Sequence, residues 1–121
     1  MKTNLNYALV VSKLAKSGED ITTQLTPEMA HLWHMATGVS GEAGELLDAV
    51  KKSAIYGKTL DVENLIEELG DLEFYMEGVR QFLGVTREEV LEANVSKLSK
   101  RYPNLEYSNE AAQKRADKLA N

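Results

Sequence analysis

Apolar residues recur along this chain every three or four positions, which is the spacing of one face of an α-helix. The clearest run contains Leu65, Leu69, Leu72, Met76, Val79 and Leu83. No convincing strand pattern is present. With only two prolines and eight glycines in 121 residues, the chain also has few of the turn residues that a β fold needs. The sequence therefore predicts an all-α protein.

Local start and stop signals set the expected helix bounds. The first helix is expected over residues 4–15 and is ended by Ser17 and Gly18. The second begins after Thr26, which can cap it, and extends to Ile55. The third runs over residues 61–83, since Asp61 is a good N-terminal cap.

Two further helices are expected towards the C-terminus. Thr86 and Glu89 form the sequence of a capping box, and the helix that they start ends before Pro103. A short last helix is expected over residues 108–119. Long helices joined by short loops favour an antiparallel four-helix-bundle-like core with an additional short C-terminal helix, in a single domain over residues 1–121.

Composition limits the classes of function. The chain has 19 acidic and 14 basic residues, so its net charge is −5, which argues against a general nucleic-acid binder. It has no cysteine, which excludes disulfides and thiolate-bound zinc. Neither a signal-peptide pattern nor a membrane span is present in the sequence. We therefore expect a cytoplasmic protein that binds neither membranes nor nucleic acid.

Two pairs of acids, Glu42 with Glu45 and Glu68 with Asp71, each lie three residues apart and so share a helix face. One such pair alone is typical of a solvated face. In an antiparallel hairpin, however, residues at one height have numbers with a constant total. The sum of the two residue numbers is the same for Glu42 with Asp71 as for Glu45 with Glu68. Half of this sum falls in the predicted turn at Gly57. The four carboxylates are therefore expected at one level, roughly 20 Å from the loop.

Carboxylates gathered at a helix seam repel one another unless a cation is present. Oxygen ligands favour a hard metal such as Mg²⁺, with Mn²⁺ as an alternative, and carboxylate-bound Mg²⁺ commonly acts on phosphates. Basic side chains lie in suitable places: Lys52 is two turns beyond Glu45, and Asn94, Lys97 and Arg101 step along one face of a later helix. The alternative for that face is ordinary solvation.

Gly38, Gly41 and Gly44 interrupt the second helix at three-residue steps. Each costs about 1 kcal/mol relative to alanine in a helix interior. They indicate either a kink or close helix crossing, or a backbone that a metal or phosphate can approach.

These residues resemble the MazG-like family of all-α nucleotide pyrophosphohydrolases. The family motif is Glu-x-x-Glu, a spacer of a dozen or more residues, and Glu-x-x-Asp, which here are residues 42–45 and 68–71. Residues 34–41 and 94–103 are also similar, especially to short phage-type members, which adds phage or prophage origin as an alternative. The resemblance spans about residues 28–117. A glycine at position 41 makes the related dimeric dUTPases a poorer match.

The resemblance implies that a nucleoside triphosphate and water give the monophosphate and pyrophosphate. It implies that four acids bind Mg²⁺: Glu42, Glu45, Glu68 and Asp71. Either Glu42 or Glu45 is expected to be the general base. It implies substrate contacts from six further residues: His34, Lys52, Tyr75, Asn94, Lys97 and Arg101. Trp33 is expected to pack in the core, and a position beside the nucleoside is its alternative. The family forms dimers or tetramers, so a homo-oligomer is expected.

The sequence leaves two alternatives to an enzyme open. The acids could be a solvated face of a helical interaction module, or the chain could bind nucleotide or metal without turnover. Other motifs are poorly supported. A P-loop ending at Gly57-Lys58-Thr59 lacks its first glycine, and His31 and His34 lack the intervening glutamate of a zinc protease motif.

Overall fold

A computed structural model describes residues 6–118 of the chain, and this part is all-helical. Its helices are α1 (Tyr7–Leu14), α2 (Gly18–Gln24), α3 (Pro27–Ala54), α4 (Val62–Leu83), α5 (Arg87–Arg101) and α6 (Asn109–Lys114). Short 3₁₀ turns span Pro103–Leu105 and Ala116–Lys118. The prediction of an all-α protein is confirmed.

The strongest helix-start signals are confirmed by capping hydrogen bonds. The side chains of Thr26 and Asp61 accept hydrogen bonds from backbone N–H groups in the first turns of α3 and α4. Thr86 and Glu89 form the predicted capping box at α5. Gly84 ends α4 with a left-handed backbone, φ 70°, which glycine adopts without steric cost. These caps fix where the long helices begin and end.

The ends of the chain differ from the prediction. The sequence predicts that Ser17 ends a helix, but its hydroxyl oxygen accepts a hydrogen bond from the N–H of Asp20 and so caps the start of α2. The predicted last helix stops at Lys114 because Arg115 turns to a left-handed φ of 50°. Residues 4 and 5 of the predicted first helix, and Leu119 of the last, lie outside the described residues.

Helix packing is concentrated in an antiparallel hairpin of α3 and α4. Met35 and Ala49 are its most buried side chains, each 8% exposed. Gly38 lies directly under the ring of Tyr75, so α3 and α4 approach closely at this glycine. A close helix crossing was one of the two explanations for the glycines of this helix. The turn after α3 passes through Gly57, whose φ is 69°. The hairpin therefore has the register that the acidic pairs predicted.

The hairpin has two unlike sides. By the 3.6-residue helical repeat, one side of the seam carries Glu45, Asp71, His34 and Gly38. We call this side the acid face. Four exposed apolar residues lie to the other side, here called the apolar face: Leu47, Val50, Val62 and Leu69. A single chain therefore leaves a broad hydrophobic surface uncovered opposite its acids.

Helix α5 does not continue this packing. It packs chiefly against the C-terminal segment, formed by the two 3₁₀ turns and α6. As a result, Val90, Leu91 and Val95 remain largely exposed. Between residues 6 and 118, no helix is both long and apolar enough to cross a bilayer.

Candidate metal centre

Three carboxylates meet across the hairpin seam. Glu42 comes from α3, and Glu68 and Asp71 come from successive turns of α4. One oxygen of each lies within 4.8 Å of the others. Glu42 and Glu68 are half-buried, whereas Asp71 is exposed at the edge of the cluster. The helical hairpin thus brings together acids that are distant in sequence.

Of the three carboxylates, Glu68 has the least favourable electrostatic surroundings. Its Oε2 atom is buried and has no hydrogen-bond partner. Burial raises the pKa of its carboxyl, and the neighbouring carboxylates of Glu42, Asp71 and Glu45 raise it further. A buried acceptor without a donor is unfavourable, and a cation placed among these oxygens would relieve both the lost solvation and the repulsion.

The donor set suits a hard divalent cation. All three groups offer carboxylate oxygens, the ligands that Mg²⁺ and Mn²⁺ prefer, and no sulfur is present. At a metal–oxygen distance of about 2.1 Å, ligands of one ion lie up to about 4.2 Å apart, so only a small closure of the cluster is required. An acidic cluster of this kind could therefore hold a metal ion.

Glu45 occupies a different position from the other predicted ligands. Its side chain is exposed and does not join the group of three oxygens. It is nevertheless close enough for its charge to raise the pKa of Glu68. The structure therefore gathers three of the four predicted metal ligands, with the fourth beside them.

Aromatic side chains continue the acid face away from the hairpin loop. The rings of His34 and Tyr75 meet edge to face with centroids 6.1 Å apart, and Phe74 contacts Tyr75 in the same manner at 5.2 Å. A groove of about 290 Å³ follows, lined by His31, Met35, Phe74, Glu77, Gly78 and Gln81. The prediction that Trp33 packs in the core is wrong, because it lies on the outer side of α3 and is 58% exposed.

The predicted basic residues are not gathered with the acids. Lys52 is on the acid face but forms an ion pair with Asp48, at 3.5 Å. Asn94 and Lys97 are exposed on α5, which packs on the C-terminal segment and not along the hairpin. Within the described part of the chain, neither makes an ion pair or hydrogen bond to the clustered carboxylates.

Arg101 forms an ion pair with Asp117, a residue that no motif in the sequence singles out. Its Nε and Nη2 atoms donate to the two carboxylate oxygens of Asp117, at 2.8 and 3.2 Å. The Asp117 side chain is only 4% exposed. The pair lowers the pKa of Asp117 and raises that of Arg101. No spacing signal reveals this contact, because it depends on the left-handed turn at Arg115.

Comparison with known proteins adds one finding to this geometry. No curated protein and no solved structure matches the chain. The family model of the MazG nucleotide pyrophosphohydrolase domain matches residues 32–106. The match covers more than half of the chain and includes most of α3, the whole of α4 and α5, and all four acids. On these grounds the chain belongs to the MazG nucleotide pyrophosphohydrolase family.

Proposed function

We propose that this protein catalyses the Mg²⁺-dependent hydrolysis of nucleoside or deoxynucleoside triphosphates to the monophosphate and pyrophosphate. The observation that carries this proposal is the buried, unpartnered oxygen of Glu68 in a three-carboxylate cluster. A cluster that is unfavourable when empty is suited to binding a cation. The family match supplies the class of reaction. Removal of unwanted nucleotides or control of a nucleotide pool would be its role.

The acids divide into two tasks. Glu42, Glu68 and Asp71 would hold Mg²⁺, or Mn²⁺, with Glu45 as a further ligand. Bound Mg²⁺ neutralises phosphate charge and lowers the pKa of a coordinated water. A carboxylate must then accept a proton from that water, and Glu42 and Glu45 are the candidates. The exposed position of Glu45 outside the cluster favours it for this task.

The nucleotide would lie along the acid face. His34 and Tyr75 form an aromatic corner next to the acids, suitable for contact with the nucleoside. Lys52 lies on the same face and, released from Asp48, could reach phosphate oxygens. Asn94 and Lys97 supply further donors for the triphosphate, whereas Arg101 would have to leave Asp117 to do so.

A homo-oligomer, dimer or tetramer, is part of the proposal. The chain exposes 10013 Å² of surface. A folded monomeric protein of this size would expose about 6,500 Å². The excess is far larger than the about 800 Å² that each partner contributes to a standard interface. Burial of the exposed apolar face in an interface between chains would remove part of this excess.

The test is pyrophosphate release from a panel of ribonucleoside and deoxyribonucleoside triphosphates, with Mg²⁺ and with a chelator. We expect Mg²⁺-dependent turnover, and a loss of at least about 100-fold in Asp71→Asn, since even indirect disturbance of metal ligands costs 10- to 100-fold. Glu63→Gln, an exposed acid at the start of α4, is the matched control and should stay active.

The outcomes separate the possible functions. Full Mg²⁺-dependent turnover in Asp71→Asn would contradict the proposed centre. If no triphosphate is hydrolysed, calorimetric titration with a non-hydrolysable analogue distinguishes a nucleotide-binding protein from a helical interaction module. Binding that requires Mg²⁺ would support the former, and its absence the latter.

A further inference from the structure

A cavity of about 230 Å³ lies between the C-terminal end of α5 and the C-terminal segment. It shares no residue with the acid face, and most of the residues that line it follow residue 106, where the family match ends. Its volume is below the range of about 300–1,000 Å³ that is typical of sites for drug-sized ligands. The cavity therefore suits a small ion or molecule, and it is built largely by a part of the chain that the family match does not include.

Hydrogen-bond donors line the cavity from both sides. Lys100 comes from α5, whereas Lys114 comes from α6 and Ser108 from its N-terminal cap. Between residues 6 and 118, neither lysine forms an ion pair. The hydroxyl oxygen of Ser108 accepts a hydrogen bond from the N–H of Ala111, so its own hydrogen can be donated to a ligand. Because an ammonium group offers only donors, this lining is suited to an anion.

Arg101 adds a fixed positive group to the same cavity. Its Nε and Nη2 atoms donate to Asp117, which does not line the cavity and is only 4% exposed. The Nη1 atom lies outside these two hydrogen bonds. A guanidinium that is already held in place loses little further freedom when it meets an anion. The cavity therefore combines one preorganised cation with two exposed lysines.

An acid, Glu110, also lines the cavity. Within the described residues it forms no ion pair with Lys100 or Lys114. A carboxylate can only accept hydrogen bonds, so it repels an anion without hydrogens but accepts a hydrogen bond from an anion that keeps one. Inorganic phosphate and pyrophosphate both keep a hydrogen at neutral pH, whereas sulfate keeps none. Cationic donors together with one acceptor therefore favour a phosphate ion over sulfate.

We propose that this cavity binds inorganic phosphate or pyrophosphate, with cationic side chains on the anionic oxygens and Glu110 accepting the remaining hydrogen. The site is separate from the metal centre and does not depend on the proposed hydrolysis. Because Lys100 and Lys114 belong to different helices, the bound anion joins α5 to α6. Binding should therefore stabilise the packing of the C-terminal segment on α5.

Calorimetric titration of the full chain tests this site. Phosphate, pyrophosphate and sulfate would be titrated separately at one ionic strength, with EDTA present so that no anion binds through a metal ion. We expect one phosphate or pyrophosphate per chain, and the tighter of the two identifies the ligand. Sulfate should bind at least about tenfold more weakly, because it lacks the hydrogen bond to a charged acceptor.

Three variants assign the binding to the cavity. Lys114→Ala should weaken phosphate binding at least about tenfold, because it removes one charge-assisted hydrogen bond. Lys118→Ala is the matched control, since Lys118 is exposed in the same segment but does not line the cavity, and it should bind like the wild type. Glu110→Gln should bring the affinities for phosphate and sulfate closer together.

Several outcomes would overturn the proposal. These are no saturable binding of either phosphate ion, sulfate binding as tight as phosphate, and equal weakening by Lys118→Ala and Lys114→Ala, which would indicate general charge attraction. Nuclear magnetic resonance gives the location independently of affinity. Phosphate should shift the amide signals of Ser108 and Lys114 in EDTA, and shifts confined to the acid face would place the anion elsewhere and contradict the inference.

Discussion

Substituting Gly38 by alanine tests the register on which the metal centre depends. A Cβ atom built at Gly38 lies within 3.0 Å of three ring atoms of Tyr75, including Cγ. Because Cγ is close to the backbone, the ring cannot move clear by rotating its outer end. Either α3 and α4 separate or Tyr75 leaves its rotamer, and overpacking of this kind costs about 1–3 kcal/mol.

Gly44 provides the matched comparison. It lies in the same helix on the side away from α4, and no atom lies within 4 Å of a Cβ placed there. Gly44→Ala should therefore gain the helix propensity of alanine, about 1 kcal/mol. Gly38→Ala gains the same amount but also meets Tyr75, so the two variants should differ by about 1–3 kcal/mol in unfolding free energy. For a chain of this length the difference in Tm is roughly 4–12 °C.

Thermal and urea unfolding at one protein concentration would measure this difference. In a Tyr75→Ala background the clash is absent, so Gly38→Ala should stabilise about as much as Gly44→Ala, and the double-mutant cycle isolates the contact. If Gly38→Ala alone is as stabilising as Gly44→Ala, Tyr75 does not lie over Gly38. The hairpin register, and with it the meeting of Glu42 with Glu68 and Asp71, would then be refuted.

Three further predictions follow from local interactions. Thr86→Ala should lower the unfolding free energy by about 1 kcal/mol in urea unfolding, because it removes the capping box of α5; an unchanged midpoint would contradict this. Arg101 lowers the pKa of Asp117, so this pair stabilises the fold above the ordinary value of 3.8, and the stabilisation is lost as the pH falls through the lowered pKa. In Asp117→Asn, the unfolding free energy measured in urea should fall less at acidic pH than in the wild type. An unchanged fall would exclude the pair as its cause. The raised pKa of Glu68 means that the metal-free fold loses stability as the pH rises through that pKa, whereas Mg²⁺ binding becomes tighter over the same range. Calorimetry in buffers of different ionisation enthalpy should detect proton release on binding, and none should be detected in Glu68→Gln.

Much of the hairpin could be predicted from sequence because its signals are local. A cap such as Asp61 acts on N–H groups within one turn, and the helical repeat assigns each residue to a side of its helix. The constant total of paired residue numbers then gives the height at which Glu42 meets Asp71. Ser17 shows the limit of this reasoning. A serine followed by glycine fits both the end of one helix and the start of the next, and only the hydrogen bond to Asp20 distinguishes them.

The rest of the site depends on contacts that have no local signal. Arg101 and Asp117 pair although they are sixteen residues apart in sequence. The chain between them turns back through Asn104 and Arg115, two non-glycine residues with left-handed backbone. The family resemblance implies that Arg101 contacts substrate, and the helical spacing places it on the same helix side as Lys97. The structure shows a partner for its guanidinium instead, whereas Lys97 remains exposed.

The incomplete core and the unpartnered oxygen of Glu68 have one physical origin. A two-helix hairpin can cover only one side of each helix, so the seam must be completed from outside on both faces. On the apolar face, burial against another chain in the proposed oligomer would supply the missing stabilisation through apolar contacts such as those of Leu69. On the acid face, burial alone would make the repulsion worse, because it removes the water that screens the carboxylates. A cation in the proposed metal centre, followed by donors for the substrate phosphates, would make closure of that face favourable. In the proposed oligomer, association of the chains and binding of substrate should therefore be thermodynamically linked, and removal of the metal should weaken the association of chains.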